Sequence, residues 1–307
     1  MIYVKWVLFG ALGALLFFYV IPTVLTFILT FYGRYDPETA LKKRYFVPFR
    51  EEMDSAVAFL SALPFERAEI KAGDGVTLRA KYLKRGGNRL MMLVHGYNAS
   101  SLANFAVSGR ALWEAGFSLL MIDERAHGES GGRKTGFGLL ESRDLALWVD
   151  WAEKNAAEKK RGIYGVSMGS TALAFISDSL TTDRVKALIF DCGFISPRGQ
   201  MQLIAKKRHA PGAIMIPFIR ILAKVFIGVD INDSVLPHLA RSSVPSLFLY
   251  GDLDATVPIA EGREFIAASS APKLLLTEPT AEHTMCFTAG KDSIRNPFFD
   301  FVNKYVN

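Results

Sequence analysis

Apolar residues run without a single charge from Trp6 to Tyr32, and only after about residue 68 do they break into the short, regularly spaced runs of a globular domain. A bilayer core takes about 20 apolar residues as a helix, so the first run is long enough to span one, and Pro22 is tolerable in such a helix. It is too long for a secretory signal, whose apolar region is about 7–15 residues, and no small-residue cleavage site follows it. Residues 1–33 are expected to form a transmembrane anchor. Residues 34–67, charged and carrying Pro37, Pro48 and Pro64, read as a juxtamembrane connector with one short helix in EEMDSAVAFLSAL.

From residue 68 the pattern changes. AEIKA and TLRAKYLK flank the turn signal Gly73-Asp74-Gly75 and predict a hairpin. RLMMLVHG, FSLLMID, RGIYG, VKALIFD, VPSLFLYG and APKLLLT are strand-like runs with helical stretches between them. Alternation of this kind predicts right-handed crossovers and a mostly parallel sheet flanked by helices, so residues 68–307 read as one α/β domain. Residues 193–244 are longer than a crossover helix requires. The apolar AKKRHAPGAIMIPFIRILAKVFIGVD within them predicts a small helical cap.

Charge refines the setting. The chain carries a formal net charge of +6, with Arg34, Lys42, Lys43 and Arg44 close behind the apolar run and only Lys5 and the α-amino group before it. That bias orients a single-pass protein with its main domain in the cytoplasm, and it makes the anionic bilayer surface the expected partner. No basic patch interleaved with aromatics reads as a nucleic-acid surface. Cys192 and Cys286 have neither metal-ligand spacing nor a disulfide framework, in keeping with a reducing compartment.

Two stretches place a serine between glycines, Gly165-Val166-Ser167-Met168-Gly169 and Gly128-Glu129-Ser130-Gly131-Gly132. A nucleophile elbow needs a strand, a sharp turn and then a helix. Ser167 follows RGIYG and precedes STALAFI, whereas Ser130 sits in the loop-like DERAHGESGGRKTG, so Ser167 is the candidate nucleophile. A serine hydroxyl needs a general base, and the base needs an orienting acid. His209 and His238 fall inside the cap region, while His283 follows the last strand-like run, so His283 is the candidate base. LFLYGDLDATVP supplies the acid after a strand. Asp254 is preferred as better placed to reach outward, with Asp252 and Asp191 as alternatives. The backbone N–H groups of Met168, just after the nucleophile, and of Tyr97, in the loop after RLMMLVHG, are the candidate oxyanion donors. His95 reads as a structural histidine of that loop.

LMMLVHGYNAS, LLMIDERAHGESGG, YGVSMGSTA, LYGDLDATVP and the late His283, in that order, resemble the α/β-hydrolase superfamily over residues 68–306. Membrane-anchored serine hydrolases of the ABHD-like or serine-aminopeptidase-like branch are the nearest likeness. The resemblance implies an α/β-hydrolase fold, Asp254 as the triad acid, and a structural role for the loop holding His127 and Ser130. It also implies hydrolysis of a small-molecule carboxylic ester, lipid or acyl esters included, without a metal or organic cofactor. A serine peptidase on the same fold and a non-catalytic, membrane-tethered binding protein are the alternatives. One departure is Glu282, where the family commonly has glycine before the histidine. Removal of residues 1–33 is expected to leave an active domain.

Overall fold

In the computed structural model, which describes residues 3–6, 10, 13, 16–36 and 41–307, the spaced apolar runs become one eight-stranded sheet. Its strands are β1 (Glu66–Lys71), β2 (Thr77–Leu83), β3 (Arg89–Val94), β4 (Ser118–Asp123), β5 (Lys160–Val166), β6 (Ala187–Asp191), β7 (Ser246–Gly251) and β8 (Lys273–Glu278). Their spatial order is β1-β2-β4-β3-β5-β6-β7-β8. Strand β2 runs antiparallel to both β1 and β4, and every other pairing is parallel. The hairpin forms where expected, with Gly75 at φ 83° closing the turn. The parallel strands β3, β5, β6 and β7 are buried along nearly their whole length, which is why they read as unbroken apolar runs: helices cover both faces. Strand β8 is the half-exposed edge.

The helices are α1 (Ile21–Phe31), α2 (Arg50–Ala62), α3 (Ser101–Glu114), α4 (Leu139–Asn155), α5 (Met168–Ile176), α6 (Pro197–Lys207), α7 (Gly212–Leu222), α8 (Leu236–Arg241), α9 (Ile259–Ala268), α10 (Cys286–Ala289) and α11 (Lys291–Tyr305). Between β6 and β7, α8 packs on α5 and α9 as the crossover helix, while α6, α7 and a π-helical turn (Ala223–Ile227) form the extra layer. Gly228, at φ 82°, ends that turn, and Asp230 reaches back to pair with Arg220 (2.7 Å) and Lys224 (2.8 Å).

The apolar N-terminal run departs from expectation. Among the described residues no helix is long and apolar enough to cross a membrane. Residues 7–9, 11, 12, 14 and 15 of the expected span lie outside the described residues. Residues 3–6, 10 and 13 are helical, and a π-helical turn (Leu16–Val20) leads into the 11 residues of α1. Thr23, Phe27 and Phe31, four apart, bury one face of α1 against the domain. The chain beyond it is stitched to the loop after β4. Thr135 N–H donates to Phe31 O (3.0 Å), Gly33 N–H to Arg133 O (2.9 Å) and Tyr35 N–H to Ala126 O (3.0 Å). The Arg34 guanidinium donates to the carbonyls of Ser130 and Gly128, both at 2.7 Å. Buried side chains packed on the domain therefore begin before residue 33.

Candidate active site

Ser167 stands between β5 and α5 at φ 53°, ψ −114°, a conformation that side chains other than glycine's rarely adopt. The glycines around it are required by crowding. A Cβ on Gly165 would meet Gly169 O at 2.6 Å, and one on Gly169 would meet Val94 O at 2.2 Å. Strand and helix are thus pressed together, and the serine is thrown forward at the carboxyl ends of the strands. Ser167 N–H is satisfied by Asp191 O (2.8 Å), which ties the elbow to β6.

His283 arrives in the loop between β8 and α10. Its Nε2 lies 3.0 Å from Ser167 Oγ and its Nδ1 lies 2.6 Å from Asp254 Oδ2. Asp254 follows β7, its side chain wholly buried. Its other oxygen, Oδ1, accepts from the N–H of Thr256 (2.7 Å) and of Val257 (2.8 Å), which fixes the carboxylate toward the imidazole. Of the alternative acids, Asp252 is exposed with its N–H on Glu278 O (3.0 Å), and neither it nor Asp191 meets His283 in a hydrogen bond. Asp191 instead accepts from Tyr164 Oη (2.9 Å), and burial pushes its carboxyl up to about 6. His238 pairs with Asp178 (2.9 Å) just past the C-terminal end of α5, and His209 is an exposed residue after α6.

Met168 is the first residue of α5, and Tyr97 lies in the loop between β3 and α3. Neither N–H has a hydrogen-bond acceptor among the described residues. Gly96 permits the close approach of that loop, because a Cβ there would sit 3.1 Å from Ser167 Cβ. The rest of the loop is held by two buried histidines. His95 Nδ1 bonds Gly96 O (2.8 Å) and its Nε2 accepts from Glu124 N–H (3.1 Å). His127 Nδ1 bonds Arg125 O (2.8 Å) and its Nε2 accepts from Asn98 N–H (3.1 Å). Burial pulls the His95 imidazole down to about 4 and that of His127 well below its usual range, so both are neutral struts near pH 7. Ser130 is buried, its hydroxyl accepting from Arg79 N–H (2.7 Å) and donating to Asp123 O (2.5 Å), which makes it a joint in the loop.

Three contributors had no signal in the sequence: Tyr35, Lys43 and Phe137. Tyr35 stacks on His127 (4.4 Å between rings), and its hydroxyl meets that of Tyr97 at 2.7 Å. Lys43 and Phe137 line a pocket of about 240 Å³ over Ser167 and His283, with Phe194, Gln200 and Thr256 completing much of the wall. Burial draws the Lys43 ammonium down to about 8. Glu282, the departure next to the base, turns outward and pairs with Arg44 (3.2 Å), an exposed pair of small energetic weight. The thiol of Cys192 lies within 4.8 Å of ligating atoms of Asp254 and His283. A cation there would have to displace the hydrogen bond that joins those two, and burial keeps the thiol well above its usual range, hence neutral.

The family model for serine aminopeptidase, S33 (Hydrolase_4) matches residues 87–231, a little under half of the chain and the part that holds Ser167. The Pyrococcus furiosus esterase Pf2001 superposes with a TM-score of 0.67 at 22% identity, over 81% of this chain and 94% of that one. The chain has the α/β-hydrolase fold. Among curated proteins, YqkD of Bacillus subtilis is 24% identical over 193 residues, 62% of this chain and 63% of that protein. Human Protein ABHD12B is 26% identical over 190 residues, 59% of this chain and 49% of that protein. These matches span about half to two thirds of the two relatives.

Proposed function

We propose that this α/β-hydrolase is a serine esterase working through an acyl-enzyme. The observation that carries the reading is the hydrogen-bonded chain Ser167–His283–Asp254 with the serine held in a strained elbow. Ser167 Oγ attacks the ester carbonyl as its proton passes to His283 Nε2. Asp254 orients the imidazole and stabilises the imidazolium. The N–H groups of Met168 and Tyr97 bond the oxyanion of the tetrahedral intermediate. His283 gives the proton to the departing alcohol, leaving the acyl group on Ser167. Water then loses a proton to His283 and attacks the acyl carbon, and collapse releases the acid and returns the proton to Oγ.

An ester suits the pocket better than a peptide amino terminus. Tyr97, Phe137, Phe194 and Ile204 give the pocket a largely apolar wall, which favours an acyl group over an α-ammonium. For the bilayer as partner, support comes from the outward face of α1, where Val24, Leu25 and Ile28 are exposed, together with Phe218, Ile221 and Phe226 of the cap.

The test is a fluorophosphonate, with the modified residue found by mass spectrometry. Wild type is expected to be labelled at Ser167, and Ser167→Ala to be unlabelled and to lose ester turnover by about 10⁴-fold or more. Turnover retained in Ser167→Ala would refute the mechanism. An unlabelled, well-folded wild type would favour a binding protein.

A further inference from the structure

Beside the pocket over Ser167 lies a second and larger chamber of about 420 Å³, within the range of small-molecule sites. One wall is α1, through Thr26, Leu29 and Thr30, and the facing wall is the cap, through Ala205 of α6 and Met215 and Ile219 of α7. Among the described residues of its lining Arg208 alone is charged. Tyr97, Phe137 and Ile204 line both this chamber and the pocket at Ser167, so the two spaces meet at those side chains. Leu29 is 74% exposed although it lines the chamber, which leaves a large apolar side chain in want of a covering group.

The same helix reaches the catalytic loop. The Tyr97 hydroxyl is shared between the carbonyls of Thr30 (3.2 Å) and Leu29 (3.3 Å), and Tyr35 closes the bond from the other side. The wall of the chamber and the loop that offers the Tyr97 N–H are therefore one hydrogen-bonded unit. A ligand that fills the chamber from Ser167 has to be unbranched enough to pass Phe137 and Tyr97, apolar along its length, and attached to the reacting carbonyl.

We infer that the chamber binds the acyl chain of the ester, and that α1, ahead of the hydrolase sheet, sets the chain length accepted. This rests on the esterase reading and adds to it a substrate class and a specificity-determining helix. Each methylene seated in an apolar site favours the longer chain by about 4-fold or more. The chamber therefore favours p-nitrophenyl octanoate over the acetate in kcat/KM, since only the longer chain reaches past the shared residues.

The experiment compares octanoate and acetate hydrolysis by the full chain and three variants. Leu29→Trp fills the chamber from α1, and Ala205→Phe fills it from the cap, so that a folding fault in one leaves the other. Both are expected to lower the octanoate-to-acetate ratio of kcat/KM by about 10-fold or more. Ile28→Trp, on the exposed face of α1 turned away from the chamber, is expected to keep the wild-type ratio. A ratio that stays at the wild-type value in both filling variants, with acetate still hydrolysed, overturns this inference and leaves the esterase reading standing. Wild type that hydrolyses neither ester and takes no fluorophosphonate at Ser167 overturns the esterase reading and this inference with it.

Discussion

His95 shows how a residue with no part in bond making shapes the site. It is fully buried, it bridges the loop that carries Tyr97 to the end of β4, and it does so as a neutral ring. An unfolded chain takes up the proton near pH 6.5, while the folded protein resists it down to about 4. The folded pKa is depressed, so the contribution to stability is complete above pH 6.5 and is lost as pH falls from there to about 4. At about 1.4 kcal/mol per unit this is on the order of 3 kcal/mol. Replacing the ring with a neutral amide removes that dependence. In His95→Asn the urea midpoint is expected to fall less between pH 7 and pH 5 than in wild type. Equal falls in the two proteins would mean that His95 does not carry the acid sensitivity.

At the level of elements, α1 is where hydrophobicity alone leaves the packing partner undetermined. Its residues are apolar all round, as a membrane helix requires, but one stripe of Thr23, Phe27 and Phe31 is used against the domain. Composition alone does not separate a helix that faces lipid from one that faces protein, because both surroundings are apolar. Phe31 is fully buried and touches Phe27 at 5.3 Å between rings, so Phe31→Ala is expected to destabilise the whole domain by about 3–5 kcal/mol in urea unfolding. A loss below about 1 kcal/mol would show that α1 lies outside the cooperative core. The elements with a period of their own were legible beforehand. The hairpin, the parallel strands and the strand-turn-helix at Ser167 each follow from local spacing and glycine placement.

For the whole molecule, the consequence is that the N-terminal segment and the hydrolase domain are one body. Residues 31–35 bond the loop after β4, Arg44 meets Glu282 beside His283, and α1 walls the chamber next to the pocket at Ser167. A chain that starts at residue 34 lacks Phe27, Phe31 and both carbonyls that hold the Tyr97 hydroxyl. It is expected to show a lower thermal midpoint than the full chain and a reduced kcat on acetate. Full stability and turnover in that truncation would show that the segment only decorates the domain.

The sheet-and-helix rhythm, the extra layer between β6 and β7, and the strand-turn-helix around Ser167 were legible in the chain, because each depends on residues adjacent in it. His283 and Asp254 were reachable from chain order and loop position, though Asp191 and Asp252 could be set aside only when the side-chain contacts were known. Tertiary structure alone decided the rest. Tyr35 meets Tyr97 across 62 positions of chain, Arg44 meets Glu282 across 238, and the α1–cap chamber needs helices from opposite ends of the fold. Such contacts leave no periodic trace, since neither partner's neighbours in sequence are constrained by the other's presence. They exist because the folded sheet brings its loops to one edge, and the apolar helix that precedes it finds that edge the nearest surface on which to bury a face.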